Sequence, residues 1–261
     1  MRLDVYLKET GLVKSRSMAA QCIKAGLVSV DGRTDRRASF ELSGSETVTL
    51  TGLVHDYVGR GGVKLEFALE CFGINVADMR AVDIGASTGG FTDCLLRRGA
   101  AAVCAVDSGH GQLDPRIASD PRVRSLEGFN ARFLTSKDVG YSADIAVLDV
   151  SFISQTLILP QIGEILVPDG IYVGLVKPQF ELDRSALSHG GIVRDPKSHA
   201  LAVMRVAKCA VDSGLSVCGV AASPVTGGDG NREFLIYLKN STDGNVSRES
   251  FESTVKEVCR C

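Results

Sequence analysis

From Asp78 onward the chain alternates short apolar runs with helical patterns, and this alternation narrows the fold more than any other feature. Strand candidates are Arg80–Ile84, Ala101–Asp107, Val123–Leu126, Asp144–Val150, Gly170–Lys177, Ser216–Ala221 and Glu233–Lys239. Helical patterns fall between them, most clearly Ser154–Leu166 and Pro196–Ser213. Such alternation builds a parallel sheet with helices on both faces. The last strand follows an Asp-Gly turn and is expected to run antiparallel. In a sheet of this kind ligands bind beyond the carboxyl ends of the strands. Asp83, Asp107 and Asp149 each end a strand candidate, so all three are expected at one crevice.

The first fifty residues read differently. Arg2–Gly11 and Ser15–Gly26 each carry a helical pattern closed by glycine. Val28–Arg33 is a short strand running into an Asp-Gly turn, and Val48–Leu50 is another strand. Up to Arg37 eight basic residues face four acidic ones, although the whole chain of 261 residues has a net charge of −2. That asymmetry fits a basic, polyanion-facing module joined to a more neutral body, or simply a solvated basic helix face. Thr51–Gly62, with four glycines, reads as a linker into a helix over Val63–Phe72. Residues 241–261 form a tail with a terminal helix over Phe251–Val258. Eight cysteines scatter without a Cys-x-x-Cys pair, so neither a metal site nor a disulfide framework is expected. Cys259 and Cys261 are expected to be exposed. No secretory signal or membrane-length apolar run occurs, and a reducing cytoplasm is the simplest placement.

Asp83-Ile-Gly-Ala-Ser-Thr-Gly-Gly-Phe91 joins the first strand of the alternating region to a helix. Gly85, Gly89 and Gly90 let backbone approach a ligand, and the first helical N–H groups point toward it. No lysine follows the glycines, so this is not a phosphate-gripping P-loop. Ser87 also fills the second glycine position of the dinucleotide fingerprint, which argues against a nicotinamide-dependent dehydrogenase. Asp107, after the next strand, suits ribose hydroxyls, or only forms a turn with Ser108-Gly109. Asn130 suits an adenine edge or a local helix cap. Lys177 ends an apolar strand before Pro178, so its amine is expected at the crevice, or snorkels at the sheet edge. Glu233 opens the last strand after the loop Thr226–Arg232. Lys64 lies in a helical first turn, where the dipole disfavours a cation.

Two resemblances follow from these segments. The first fifty residues resemble the S-four RNA-binding domain through Arg2-Leu-Asp, Leu7, Ser15-Arg16, Ala19, Ile23, Gly26 and Val28-x-Val-Asp-Gly32. Lys64, Asp149, Lys177 and Glu233 resemble, in order and context, the Lys-Asp-Lys-Glu tetrad of FtsJ-like 2′-O-ribose methyltransferases. Together the two parts resemble the TlyA, or haemolysin-A-like, rRNA methyltransferases over roughly residues 2–240. Val58-x-Arg60-Gly-Gly62, Leu148–Phe152, Val176–Glu181 and Gly190-Gly191 belong to the same pattern. His110 stands where the family more often has an aromatic residue.

The resemblance implies a Rossmann-like methyltransferase fold, α/β with a mostly parallel seven-stranded sheet over residues 63–240. A small α+β RNA-binding domain at 1–50 and a linker at 51–62 precede it. It implies S-adenosylmethionine as cofactor, held by Asp83, Gly85, Ala86, Ser87, Thr88, Gly89, Gly90, Phe91, Asp107, Asn130 and Asp149. It implies ribosomal RNA or ribosomal subunits as partner, with Arg2, Lys8, Lys14, Arg16, Lys24, Arg33, Arg60 and Arg132 as contacts. The expected reaction is attack of a cytidine 2′-hydroxyl in large-subunit rRNA on the cofactor methyl carbon, with small-subunit rRNA as a second candidate. Lys177 would hold and help deprotonate that hydroxyl, Asp149 and Glu233 would orient the lysines, and Lys64 would position the ribose. No metal is required. A non-catalytic ribosome-assembly factor explains the N-terminal domain but not the tetrad. A membrane-active haemolysin finds no spanning helix or barrel alternation in the sequence.

Overall fold

The structure is a computed structural model that describes residues 1–13, 16–34, 37–51, 57–188, 190–227, 230–241 and 246–260. Its chain divides into two compact units, Met1–Asp56 and Tyr57–Cys261.

In the first unit α1 (Leu3–Glu9) and α2 (Arg16–Lys24) precede β1 (Val28–Val30), β2 (Arg33–Thr34) and β3 (Val48–Leu50). The strands form an antiparallel sheet in the order β2-β1-β3. Asp31 and Gly32 connect β1 to β2 with φ of 50° and 75°. Positive φ at both central residues suits a tight hairpin, which is why Asp-Gly appears there. Leu3, Leu7, Ala19, Ile23 and Val28 are wholly buried and form this unit's core.

The second unit begins its helices with α3 (Gly61–Cys71). There follow β4 (Arg80–Ile84), α4 (Gly90–Arg97), β5 (Ala102–Val106), α5 (Pro115–Ala118), β6 (Val123–Leu126), α6 (Ser136–Val139) and β7 (Ala143–Leu148). Then come α7 (Leu159–Ile165), β8 (Leu166–Val176), α8 (Pro178–Glu181), α9 (Pro196–Asp212), β9 (Ser216–Ala222), β10 (Phe234–Lys239) and α10 (Arg248–Arg260). The sheet runs β6-β5-β4-β7-β8-β10-β9. Its first five strands are parallel, and β10 is antiparallel to both β8 and β9. The seven-stranded, mostly parallel sheet expected from the alternation is therefore present. One face packs on α3 and α4 through Ala81, Val103, Val147 and Leu235, and the other on α7, α9 and α10 through Ile84, Leu148 and Ile236.

Three local expectations are corrected. Ser154–Leu166 is not one helix: a short 3₁₀ turn, Gln155–Leu157, is followed by α7. Pro160 lies in the first turn of α7, where its missing N–H costs nothing, so the helix restarts there. Tyr57–Gly62, expected within a linker, packs on α4. The Val58 amide donates to Asp93 Oδ2 at 2.9 Å, and the Arg97 guanidinium lies 4.9 Å from the centre of the Tyr57 ring. Cys259 is buried rather than exposed, because α10 turns Phe251, Val255 and Cys259 onto α9 and β9. Cys261 lies outside the described residues.

Candidate active site

The carboxyl ends of β4, β5, β7 and β8 share one edge of the sheet, and the turn after β4 rises from it. Gly85 leaves the strand at φ 86°, and a Cβ there would sit 2.6 Å from the Asp149 carbonyl oxygen. Gly89 caps α4 at φ 92°, where a left-handed cap suits glycine. Ser87 follows the same course at φ 48°, and its amide donates to Asp107 Oδ2 at 2.8 Å. The Gly109 amide donates to Asp107 Oδ1 at 2.7 Å, so this carboxylate ties two turns together at the rim. Gly85, Ser87, Asp107, Phe129, Asn130 and Asp149 are among the residues lining a cleft of about 370 Å³. A smaller recess of about 190 Å³ shares Gly85, Ser87 and Asp149 and is closed by Phe91, Ser151 and Lys177.

Not every expected cofactor contact faces this cleft. Asp83 is wholly buried beneath the turn, where Oδ2 accepts the Thr92 hydroxyl at 2.6 Å. With no exposed surface it braces the turn from beneath. Burial pushes its carboxyl up to about 7. Phe91 is also buried and anchors α4 on the core. Asn130 Oδ1 accepts the Arg132 amide at 3.2 Å, so the local cap is what this side chain makes, at the edge of the cleft.

The four tetrad residues meet. Lys64 Nζ donates to Glu233 Oε2 at 2.6 Å and lies 3.8 Å from Asp149 Oδ2. Lys177 Nζ lies 2.6 Å from Asp149 Oδ1 and donates to Ser151 Oγ at 2.9 Å. Lys64, Lys177 and Glu233 are all less than a tenth exposed. Two lysines and two carboxylates thus neutralise one another in a partly dehydrated row, as buried charges must. The antiparallel last strand explains the arrangement. Phe234 pairs with Val176, so Glu233, which immediately precedes β10, lies beside Lys177, which follows β8. Lys64 escapes its unfavourable helix-dipole position by ion pairing across the site.

Two neighbours carried no separate signal in the sequence. Ser151 holds Lys177 and lines both recesses. Phe152 is 92% exposed with φ 65°, and its ring centre lies 5.3 Å from that of Phe180. An exposed aromatic in left-handed backbone beside a buried lysine is visible only in three dimensions.

The expected RNA contacts are distributed over both units. Arg2 and Arg16 both bind buried Asp4, at 3.0 and 2.8 Å, and hold its carboxyl below the usual range. Lys8 lies 3.7 Å from Glu9 Oε1, while Lys24 and Arg33 are exposed. Lys14 lies outside the described residues. In the second unit Arg60 and Arg132 are exposed, Arg132 above the Phe133 ring. Among the described residues no helix is long and apolar enough to cross a membrane.

Comparison with known proteins agrees with this geometry. The profile of FtsJ-like methyltransferases matches residues 57–240, and that of the S4 domain matches residues 1–48. A 16S/23S rRNA (cytidine-2′-O)-methyltransferase TlyA from Mycobacterium tuberculosis is 43% identical over 255 residues, covering 97% of this chain and 95% of the relative. Hemolysin A of Brachyspira hyodysenteriae is 40% identical over 239 residues, 91% of this chain and 99% of that one. A solved structure of a hemolysin-named protein from Streptococcus thermophilus superposes with a TM-score of 0.77 at 42% identity, covering 100% of this chain and 96% of that one. With an FtsJ-like profile over most of its length, an S4 domain before it and near-full-length relatives of that name, the chain belongs to the TlyA family of S-adenosylmethionine-dependent RNA methyltransferases.

Proposed function

We propose that this protein methylates the 2′-hydroxyl of cytidine in ribosomal RNA, with the Lys64–Asp149–Lys177–Glu233 row as its catalytic centre. The observation that carries the reading is Lys177: a buried amine held from two sides by Asp149 and Ser151 at the recess beside the glycine turn. S-adenosylmethionine suits the larger cleft, which is lined by Gly85 and Ser87 of the glycine turn and carries the Asp107 carboxylate. When bound, it supplies the methyl group. Gly85–Gly90 would hold it through backbone, and Asp107 would face its ribose hydroxyls.

The chain's own residues act on the acceptor. With Asp149 and Ser151 occupying two directions around Lys177 Nζ, a third remains for the ribose oxygen: as ammonium the group donates to the developing alkoxide, and only as the neutral amine, its own proton passed to solvent, does it take the hydroxyl proton. Lys64, gripped by Glu233, positions the ribose from the other side of Asp149. Alignment of the reacting atoms then supplies much of the rate. The Phe152 ring, backed by Phe180, offers a stacking surface for a base turned out of its helix.

Ribose methylation is chemically distinguishable from base methylation, because alkali cleaves RNA through a free 2′-hydroxyl. Unmethylated rRNA treated with the protein and labelled cofactor should yield alkali-resistant labelled dinucleotides. Lys177→Ala should bind RNA and cofactor normally yet lose at least about a hundredfold in single-turnover rate. Label found only in alkali-sensitive mononucleotides would overturn the ribose reading. A near-normal rate for Lys177→Ala would remove the lysine from the chemistry.

A further inference from the structure

After β7 the chain runs from Asp149 to Gln155 along the side of the catalytic recess, and three of these residues shape the site. Asp149 and Ser151 hold Lys177, and Phe152, at φ 65°, packs on Phe180, whose ring centre lies 6.0 Å from Lys177 Nζ. A phenylalanine in left-handed backbone is strained, so surrounding contacts must over-determine the loop's course. Those contacts converge on one side chain outside the tetrad. Glu181, the last residue of α8, is 3% exposed. Its Oε1 accepts the Gln155 amide at 2.9 Å, and its Oε2 accepts the Ser154 hydroxyl. Its own carbonyl oxygen accepts Arg205 Nη1 from α9 at 2.7 Å. The Gln155 side chain, equally buried, donates to the Leu175 carbonyl at 3.2 Å and accepts the Tyr172 hydroxyl at 2.8 Å. The segment that carries Asp149 and Ser151 is thereby sewn to the segment that carries Lys177.

We propose that Glu181 is a positioning residue for methyl transfer: by accepting from both Ser154 and Gln155 it holds the Asp149–Gln155 loop where Asp149 and Ser151 can grip Lys177. The role rests on the ribose-methylation reading above. A carboxylate accepts from both partners at once; in Glu181→Gln the Gln155 N–H keeps the one carbonyl oxygen, and the Ser154 hydroxyl must turn round to accept from the new amide nitrogen. Two charge-assisted ties become neutral ones, and the loop loosens beside Lys177. Glu181 touches none of the tetrad residues, so its effect is on geometry and not on the proton itself.

The test compares Glu181→Gln, which keeps the side-chain volume, with wild type in single-turnover methylation of unmethylated rRNA at saturating cofactor. The expected result is a rate about tenfold to a hundredfold lower at saturating cofactor and well below the thermal midpoint, a loss larger than the accompanying change in cofactor affinity. Ser151→Ala also loosens Lys177, so the double variant Ser151→Ala/Glu181→Gln should lose less than the product of the two single losses. If Glu181→Gln unfolds, Ser154→Ala removes one tie and keeps the carboxylate. It should lower the rate severalfold without moving the midpoint. A rate within twofold of wild type in the folded variant, or fully multiplicative losses in the double variant, would overturn the role. If the wild type itself yields no alkali-resistant methylation, the activity reading fails first and this role with it. If the wild type methylates and the variants match it, only the positioning role fails.

Discussion

Lysine amines are seldom buried, and the two buried here survive only as members of one charge row. Removing a single partner from such a row leaves an uncompensated charge and typically costs about 3–5 kcal/mol. Asp149 serves both lysines, so variants of it should disturb positions of both. Asp83 shows the opposite economy. Its carboxyl is pushed up to about 7 by burial, and its Oδ1 has no hydrogen-bond partner among the described residues. The folded state therefore holds this proton more tightly than the unfolded chain does. Stability contributed by the protonated form is full at acid pH, falls as pH rises past about 4, and levels above about 7. Asp83→Asn keeps the neutral shape at every pH. Urea unfolding should find the variant gaining on wild type between pH 5 and pH 8, by about 3 kcal/mol. A difference independent of pH across that range would show that Asp83 titrates normally.

At the scale of elements, period and punctuation were legible. Arg80–Ile84 and Val123–Leu126 are strands with the boundaries their apolar runs and flanking residues suggest. Where the reading failed, a backbone detail outweighed periodicity. Pro160 restarted a helix inside a continuous apolar pattern, and Ser154 found Glu181 as a partner. The glycine turn was legible as a cradle, but one reason for its glycine lay elsewhere. A side chain at Gly85 meets the Asp149 carbonyl before it meets any ligand. Gly85→Ala should therefore destabilise the fold by about 2 kcal/mol or more and weaken cofactor binding together with it. Gly111→Ala is the control: φ is 64° but nothing lies within 4 Å of the new Cβ, so only the backbone cost applies. Calorimetry and thermal melts on both variants would check this, and equal effects at the two positions would discount the Asp149 contact.

Over the whole molecule, the basic excess is confined to residues 1–37 of the first unit, and the catalytic row lies in the second. Exposed Lys24 and half-exposed Arg16 are suited to phosphate, although Arg16 already binds Asp4. The double variant Arg16→Ala/Lys24→Ala should lower RNA affinity and reduce the salt slope by about 1–2. Cofactor affinity should be unchanged, since neither residue belongs to the second unit. Filter binding over a salt series would test this, and an unaltered slope would make both residues part of a solvated helix face. The sequence by itself determined the order of strands and helices, the glycine turn and which four charged residues to suspect. Those features are local, or follow from matching short motifs spread along the chain. Tertiary structure alone decided that Lys64 meets Glu233 across 169 positions, that Asp83 lies buried beneath the turn, and which partners Ser151, Phe152 and Glu181 take within segments the sequence had marked. The physical reason is register: an antiparallel last strand and a strained loop after β7 bring these groups together, and neither placement is written in any local run of residues.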